Sequence, residues 1–380
     1  MVERVVHAFA ACVVSVVAAT MPSACAVQHA AASSTARPPA PKLSLQQLAG
    51  QRIVYSYAGL RPPQSLLAAI RAGEAGGVIF FGPNVSSASQ LRRVINELQA
   101  ASRASPRHSP LLMLTDQEGG EVRRLPGAPV PSEKQIGKSS AGTAAASAAG
   151  AGAARTLKNA GVTVNLAPVL DVYRQPGDFI DEFQRSYSSN SATVAKLGAA
   201  FISAQQRAGV AATAKHFPGL GAAARSQNTD LVPVTLRTPL ATLRSIDEAP
   251  YVKAIAAGVK LVMTSWAIYP ALDARMPAGL SSAVIQGELR GRLGFKGVTI
   301  TDGIDAGALA PFGGVGNRAV LAASAGADLI LCATTNPDDN TPAIGVAARN
   351  AIASALARGR LPRGAAAQAA TRILALRANP

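Results

Sequence analysis

Cysteine and histidine are too scarce in this chain to build a disulfide scaffold or a metal site. Three cysteines and four histidines are spread over 380 residues. Cys12 and Cys25 fall in the N-terminal apolar stretch, while Cys332 stands alone in the strand-like run ADLILCA. A disulfide is therefore not expected, and Cys332 reads as a small core residue. His7 and His29 lie near the N-terminus, which leaves His108 and His216 for the body of the protein, and no metal-ligand spacing survives. No G-x-G-x-x-G follows the first strand-like run, so no dinucleotide site is supported, and neither a metal nor an organic cofactor is expected. Acidic residues are outnumbered 21 to 37 by Lys and Arg, for a net charge of +16. The excess is scattered, with no dense basic run and no interleaved aromatics, so it does not describe a nucleic-acid surface.

Apolar residues are plentiful, at 48% of the chain, enough for a sizeable core. The N-terminal MVERVVHAFAACVVSVVAATMPSACAVQ has an early Arg4, an apolar run and then small residues, the pattern of a secretory signal over residues 1–26. Two processing readings stay open. Ala24-Cys25-Ala26 fits cleavage after Ala26; alternatively Cys25, after Ser23-Ala24, becomes a lipidated first residue. The run is too short for a confident membrane span. Residues 27–43 are small, polar and Pro-rich and read as a tether, with the folded domain over 44–380. The expected location is extracytoplasmic, secreted or lipid-anchored to the outer face of the membrane. The domain is taken as a monomer that touches membrane only through such an anchor.

Beyond the tether, short apolar runs recur. They are RIVYSY, GGVIFF, PLLMLTD, VTVNLAPVLD, VAATAKH, VKLVMTSW, GVTITD and ADLILCA, with helix-like stretches between them. Continuous apolar strands alternating with helices describe a parallel sheet buried on both faces. Eight such units predict an α/β fold, a single (β/α)8 barrel, with an open doubly wound sheet as the alternative. Polar residues gather at the C-terminal ends of the runs: Asp116, Asp171, Lys215 with His216, Ser265 with Trp266, and Asp302. In a barrel those ends converge on one mouth, where a polar pocket is expected.

The same strand ends carry a resemblance. TDQEGGEVRRL, KHFPGLG, IYPALD and GFKGVTITDGIDAGAL resemble glycoside hydrolase family 3, most closely its single-domain bacterial β-N-acetylhexosaminidases. The resemblance implies Asp302 as nucleophile, and Asp116, Arg124, Arg185, Lys215 and His216 as binding residues for a terminal N-acetylglucosamine. It also implies a carbohydrate substrate and an exo-glycosidase acting on peptidoglycan-derived or related glycans. A retaining glycosidase uses one carboxylate to attack the anomeric carbon and one acid to protonate the leaving oxygen. Lys215, if beside Asp302, would keep that nucleophile ionised. Trp266, Tyr269 and Phe217 are equally readable as sugar-stacking faces or as apolar packing at the rim.

One loop departs from the family. After K-H-F-P-G these enzymes carry an Asp-His pair as acid/base, whereas here Leu220 replaces the first loop histidine and no other follows. Counting without gaps aligns Ser226 and Asn228 with the pair; a two-residue insertion places Asp230 at the histidine position. Asp230 is then the one loop carboxylate able to act as acid/base, and a carboxylic acid of raised pKa is the usual glycosidase acid. The residues leave open that Asp230 only caps the loop. They also leave open a β-glucosidase or xylosidase on the same fold, and a sugar-binding lipoprotein without catalysis.

Overall fold

A computed structural model describes residues 43–333 and 341–380. The signal, the tether up to residue 42 and the lipidation candidate Cys25 lie outside the described residues. Eight parallel strands close into a barrel in which each strand pairs with its neighbours in sequence. They are β1 (Ile53–Tyr55), β2 (Gly77–Phe80), β3 (Leu112–Thr115), β4 (Val164–Asn165), β5 (Ala211–Phe217), β6 (Leu261–Thr264), β7 (Val298–Gly303) and β8 (Leu329–Cys332). The ring closes between β8 and β1, with Ile53 opposite Ile330 and Tyr55 opposite Cys332. The single (β/α)8 barrel is therefore the architecture.

Both sides of the strands are apolar for a physical reason. Val54, Ile79, Leu112, Leu114, Ile300 and Leu329 fill the barrel interior, and the alternate residues Ile53, Tyr55, Val78, Phe80 and Met113 pack against the helices. Cys332 is buried and free, a small residue on the helix-facing side of β8. β4 is shorter than the apolar run VTVNLAPVLD suggests. Regular pairing ends at Asn165, although Leu166 N–H still donates to the Thr115 carbonyl and Thr213 N–H to the Ala167 carbonyl, each at 2.9 Å, before Pro168, which has no N–H to give the ladder. It resumes only as a bridge between Val169 and Lys215, with Leu170 N–H donating to the Lys215 carbonyl at 2.7 Å.

The end of the barrel where the strands begin is tied by charge. Asp328, just before β8, is buried and accepts from Arg290 at 2.6 Å and Arg372 at 2.8 Å. Arg372 belongs to the last helix, Arg363–Ala378, so this carboxylate fastens the C-terminal helix under the barrel. Arg52, buried just before β1, donates to the Asp328 carbonyl. Among the described residues no helix is long and apolar enough to cross a membrane.

On the outside, the Ala-rich helix Thr143–Ala160 lies against the helix Ser191–Arg207 at very short range. A Cβ at Gly150 would stand 2.3 Å from the Phe201 carbonyl oxygen, a backbone atom that has no rotamer to yield. Gly150→Ala therefore sets two effects against each other. Removing a mid-helix glycine gains about 1 kcal/mol of helix propensity, whereas forcing two packed helices apart costs about 1–3 kcal/mol. The clash outweighs the propensity, and thermal unfolding of Gly150→Ala is expected several degrees below that of the parent; an unchanged or higher Tm would contradict this packing.

Candidate active site

Strands buried on both faces can end in charged residues only if those charges are paired or face a solvated mouth. The C-terminal mouth meets this condition with a linked set of ions around a cavity of about 360 Å3. Asp116 directly follows β3, after which a short hairpin, Gln117–Gly119 against Val122–Arg123, turns the chain back. Arg124 then comes alongside, its N–H donating to the Asp116 carbonyl at 3.2 Å. Lys215, on β5, donates to Asp116 and to Glu118, each at 2.7 Å. Arg185, from the loop after β4, grips Glu118 through Nε and Nη2, both at 2.9 Å.

Glu118 is the centre of this network. It is buried, and burial pushes its carboxyl up, but the charges of Arg185 and Lys215 outweigh that and hold it down at about 2. The reverse balance acts on Lys215: burial works against its charge, while Asp116 and Glu118 raise its pKa above the ordinary lysine value. Glu133 lies behind this cluster with Oε1 accepting from Val169 N–H at 2.9 Å. Burial, and then the Glu118 charge, push Glu133 well above the usual carboxylate range.

His216 is set by a second buried carboxylate. Asp171 accepts from His216 Nδ1 at 2.7 Å and from the Leu220 N–H at 2.6 Å, so one side chain orients both the imidazole and the turn after β5. With Nδ1 engaged, Nε2 is the ring nitrogen left for the cavity, which His216 lines.

Asp302 is the penultimate residue of β7 and also lines the cavity, with Oδ1 accepting from Gly303 N–H at 2.7 Å. Its neighbour in sequence, Asp305, turns outward to an exposed position 3.7 Å from Arg318. Asp230 reaches the same cavity from the loop after β5. Burial, and then the nearby Asp302 carboxylate, push Asp230 up to about 6, against the opposing charges of Arg185 and His216. Leu220, at the position where the resemblance leads one to expect a histidine, lines the cavity as an apolar wall. Ser226 is exposed on the surface, and Asn228 uses its side-chain oxygen to accept from the Asp230 N–H at 2.8 Å.

The cavity thus brings together Asp116, Arg124, Arg185, Lys215, His216, Asp230 and Asp302. Several expectations are corrected by the geometry. The Lys215 ammonium is paired with Asp116 and Glu118 and links the two carboxylates. Ser265 and Trp266 do not add to the polar mouth. Trp266 is buried and donates to the Gly303 carbonyl at 2.8 Å, while Ser265 pairs with Tyr269 at 3.0 Å. Phe217 packs edge-on against Tyr251 with ring centres 5.0 Å apart. The three rings are rim packing, and the aromatic walls of the cavity are Phe81 and Phe179.

Glu118 was not singled out among the sequence candidates. Its signal was an acidic residue two positions after Asp116, but its partner Arg185 is 67 residues away along the chain. Among the described residues no group of three or more His, Cys, Asp or Glu side chains converges to hold a metal ion.

The fold and this mouth have relatives. Residues 43–376 match the glycosyl hydrolase family 3 N-terminal domain. An "Uncharacterized secreted glycosyl hydrolase" of Arthroderma benhamiae is 48% identical over 343 residues, covering 90% of this chain and 95% of the relative. A "Beta-hexosaminidase" of Thioalkalivibrio sulfidiphilus is 35% identical over 264 residues, 68% of this chain and 73% of the relative. Among solved structures, a family 3 β-N-acetylglucosaminidase from Paenibacillus superposes with a TM-score of 0.82 at 36% identity. That match covers 89% of this chain but 63% of the longer Paenibacillus chain. A β-N-acetylhexosaminidase from Beutenbergia cavernae gives 0.78 at 30% identity, covering 89% of this chain and 99% of its own. By family match, sequence identity and barrel geometry together, the chain belongs to glycosyl hydrolase family 3 and is a glycoside hydrolase.

Proposed function

We propose that this hydrolase releases terminal β-linked N-acetylglucosamine from peptidoglycan-derived or related glycans by a two-step retaining mechanism. Asp302 attacks the anomeric carbon while Asp230 protonates the glycosidic oxygen, so the leaving alcohol departs neutral and the sugar is held as an ester of Asp302. Asp230, now a carboxylate, takes a proton from water as its oxygen attacks the anomeric carbon. The ester breaks, and Asp302 and the protonated Asp230 are regenerated. Asp116, Arg124, Arg185, Lys215 and His216 bind the sugar, with Glu118 holding Arg185 and Lys215 in place. Arg124 lines the cavity beside Asp116.

The observation that carries this reading is that Asp230 shares the cavity with Asp302 and has its proton affinity raised by burial and by that neighbour. Like charges close together push pKa values apart, which divides the roles into acid and nucleophile. The N-acetylglucosamine specificity rests on the names of the relatives at 30–36% identity. Export rests on the N-terminal sequence and on the relative named as secreted.

Replacing Asp230 by Ala tests the acid directly. A general acid contributes about 10²–10⁴-fold, so turnover of a natural disaccharide is expected to fall by that order. An aryl glycoside with an activated leaving group should lose far less in its first step. Added azide should restore the second step and appear as glycosyl azide. Equal, small losses on both substrates would remove Asp230 from the chemistry.

The pH profile follows from the same residue. Protonation at the leaving oxygen needs the acid form, so kcat/KM on the natural disaccharide is expected to fall as pH rises through about 6, the value to which Asp230 is pushed. That limb should vanish in Asp230→Ala; a limb that persists there belongs to another group.

A carboxylate base also disfavours an anionic acceptor. Inorganic phosphate is expected neither to speed turnover nor to enter the product, and a sugar phosphate among the products would contradict the assignment of the base.

A further inference from the structure

The loop that carries Asp230 is fastened to the segment that follows Asp302. The Asp230 carbonyl accepts from the Gly307 N–H at 2.7 Å, and the Thr229 carbonyl accepts from the Ala308 N–H at 3.1 Å. On the loop's other side Asn228 folds it into a turn: its side-chain oxygen takes the Asp230 N–H, and its carbonyl takes the N–H groups of Leu231 and Val232 at 3.1 and 3.0 Å. The seat itself is a short turn of helix, Gly307–Phe312, which begins four residues after the end of β7. Ala306 N–H donates to the Gly303 carbonyl at 3.2 Å, and Gly303 N–H donates to Asp302 Oδ1 at 2.7 Å. A continuous hydrogen-bonded path thus joins the backbone beside one carboxylate to the backbone of the other.

Gly307 is required by closeness. It is not among the glycines with positive φ, so its backbone suits any residue. A Cβ there would stand 2.1 Å from the Leu231 carbonyl oxygen and 2.4 Å from its carbon, both backbone atoms. Any side chain at 307 therefore drives the Asp230 loop off its seat, leaving the rest of the barrel with no such conflict.

We infer that Gly307 is a positioning residue for the reaction: by admitting the loop to bonding distance it sets where the Asp230 carboxyl stands relative to Asp302. The inference rests on the acid/base reading of Asp230. The loop is held to this seat by main-chain bonds, so the fold itself sets the position of the acid. That is the condition under which a proton donor is most effective, because no binding energy is diverted into ordering it.

Gly307→Ala is the test, run beside Asp230→Ala on the full chain. The Ala variant is expected to lose at least about tenfold in kcat/KM on the natural disaccharide, where protonation of the leaving group matters. The two substrates are compared in kcat/KM, which reports the first step: the activated aryl glycoside should lose little there, although its kcat falls with the slowed second step. Labelling of Asp302 by a mechanism-based fluorosugar, read by intact mass, should proceed at close to the parent rate. Asp230 would also regain water and move away from Asp302, so the limb near pH 6 is expected to shift downward, toward the ordinary carboxylate range. A merely structural role for Gly307 would lower both substrates and the labelling together. If Gly307→Ala does not fold, Asn228→Ala, which removes the side-chain cap on Asp230 N–H, is expected to show the same selective loss in milder form. Equal losses on both substrates, or none, in a protein whose Asp230→Ala variant does show the leaving-group signature, overturn the role of the seat alone. If Asp230→Ala lacks that signature, the acid assignment fails and this inference with it.

Discussion

Everything at the mouth depends on one electrostatic constraint. The strands are apolar on both sides, so charge at their ends has to be neutralised where it stands. Glu118 meets this constraint for the binding residues. Buried between Lys215 and Arg185, it is held ionised at about 2 and in return keeps two cations that would otherwise be costly to bury. Asp171 in turn orients His216 and the backbone that follows it through hydrogen bonds. Asp230 is the deliberate exception. The nearest strong influence on it after burial is another carboxylate, so it is left holding its proton more firmly than an ordinary aspartate.

The two ends of the barrel use buried charge for different purposes. Beneath the sheet, Asp328 is saturated by Arg290 and Arg372 and ties a terminal helix to the strands. At the mouth the pairs are arranged around a cavity of about 360 Å3. A cluster packed solid stabilises, and one arranged around open space can bind. This is the division between the two faces expected of a barrel of this type.

Much of this was legible in the sequence, for identifiable reasons. Apolar runs without alternation reveal a sheet covered on both faces, and the motifs around Asp116, Lys215 and Asp302 each sit at the end of such a run, where direction along the strand fixes which mouth they face. Legibility stopped where a property depended on distant pairing. Glu118 looks like part of a turn until Arg185 folds onto it. Trp266, Tyr269 and Phe217 have the chemistry of a sugar platform, but the end of β5 and the turn that follows β6 leave all three buried, and nothing in their local sequence states that. β4 was overestimated because apolar composition does not register where regular pairing ends, here at Asn165, short of a proline that has no N–H to give the ladder.

The clasp between residues 229–230 and 307–308 is made of carbonyls and amides. Those groups are common to every amino acid, so the anchorage is indifferent to which side chain the loop displays. A chain built this way can exchange an imidazole for a carboxyl at the working position while the scaffold beneath stays as it was. On the proposed assignment of Asp230 as the acid, the chemistry of the proton donor and its address in space rest on different parts of the chain, the first on one side chain and the second on the main chain around it.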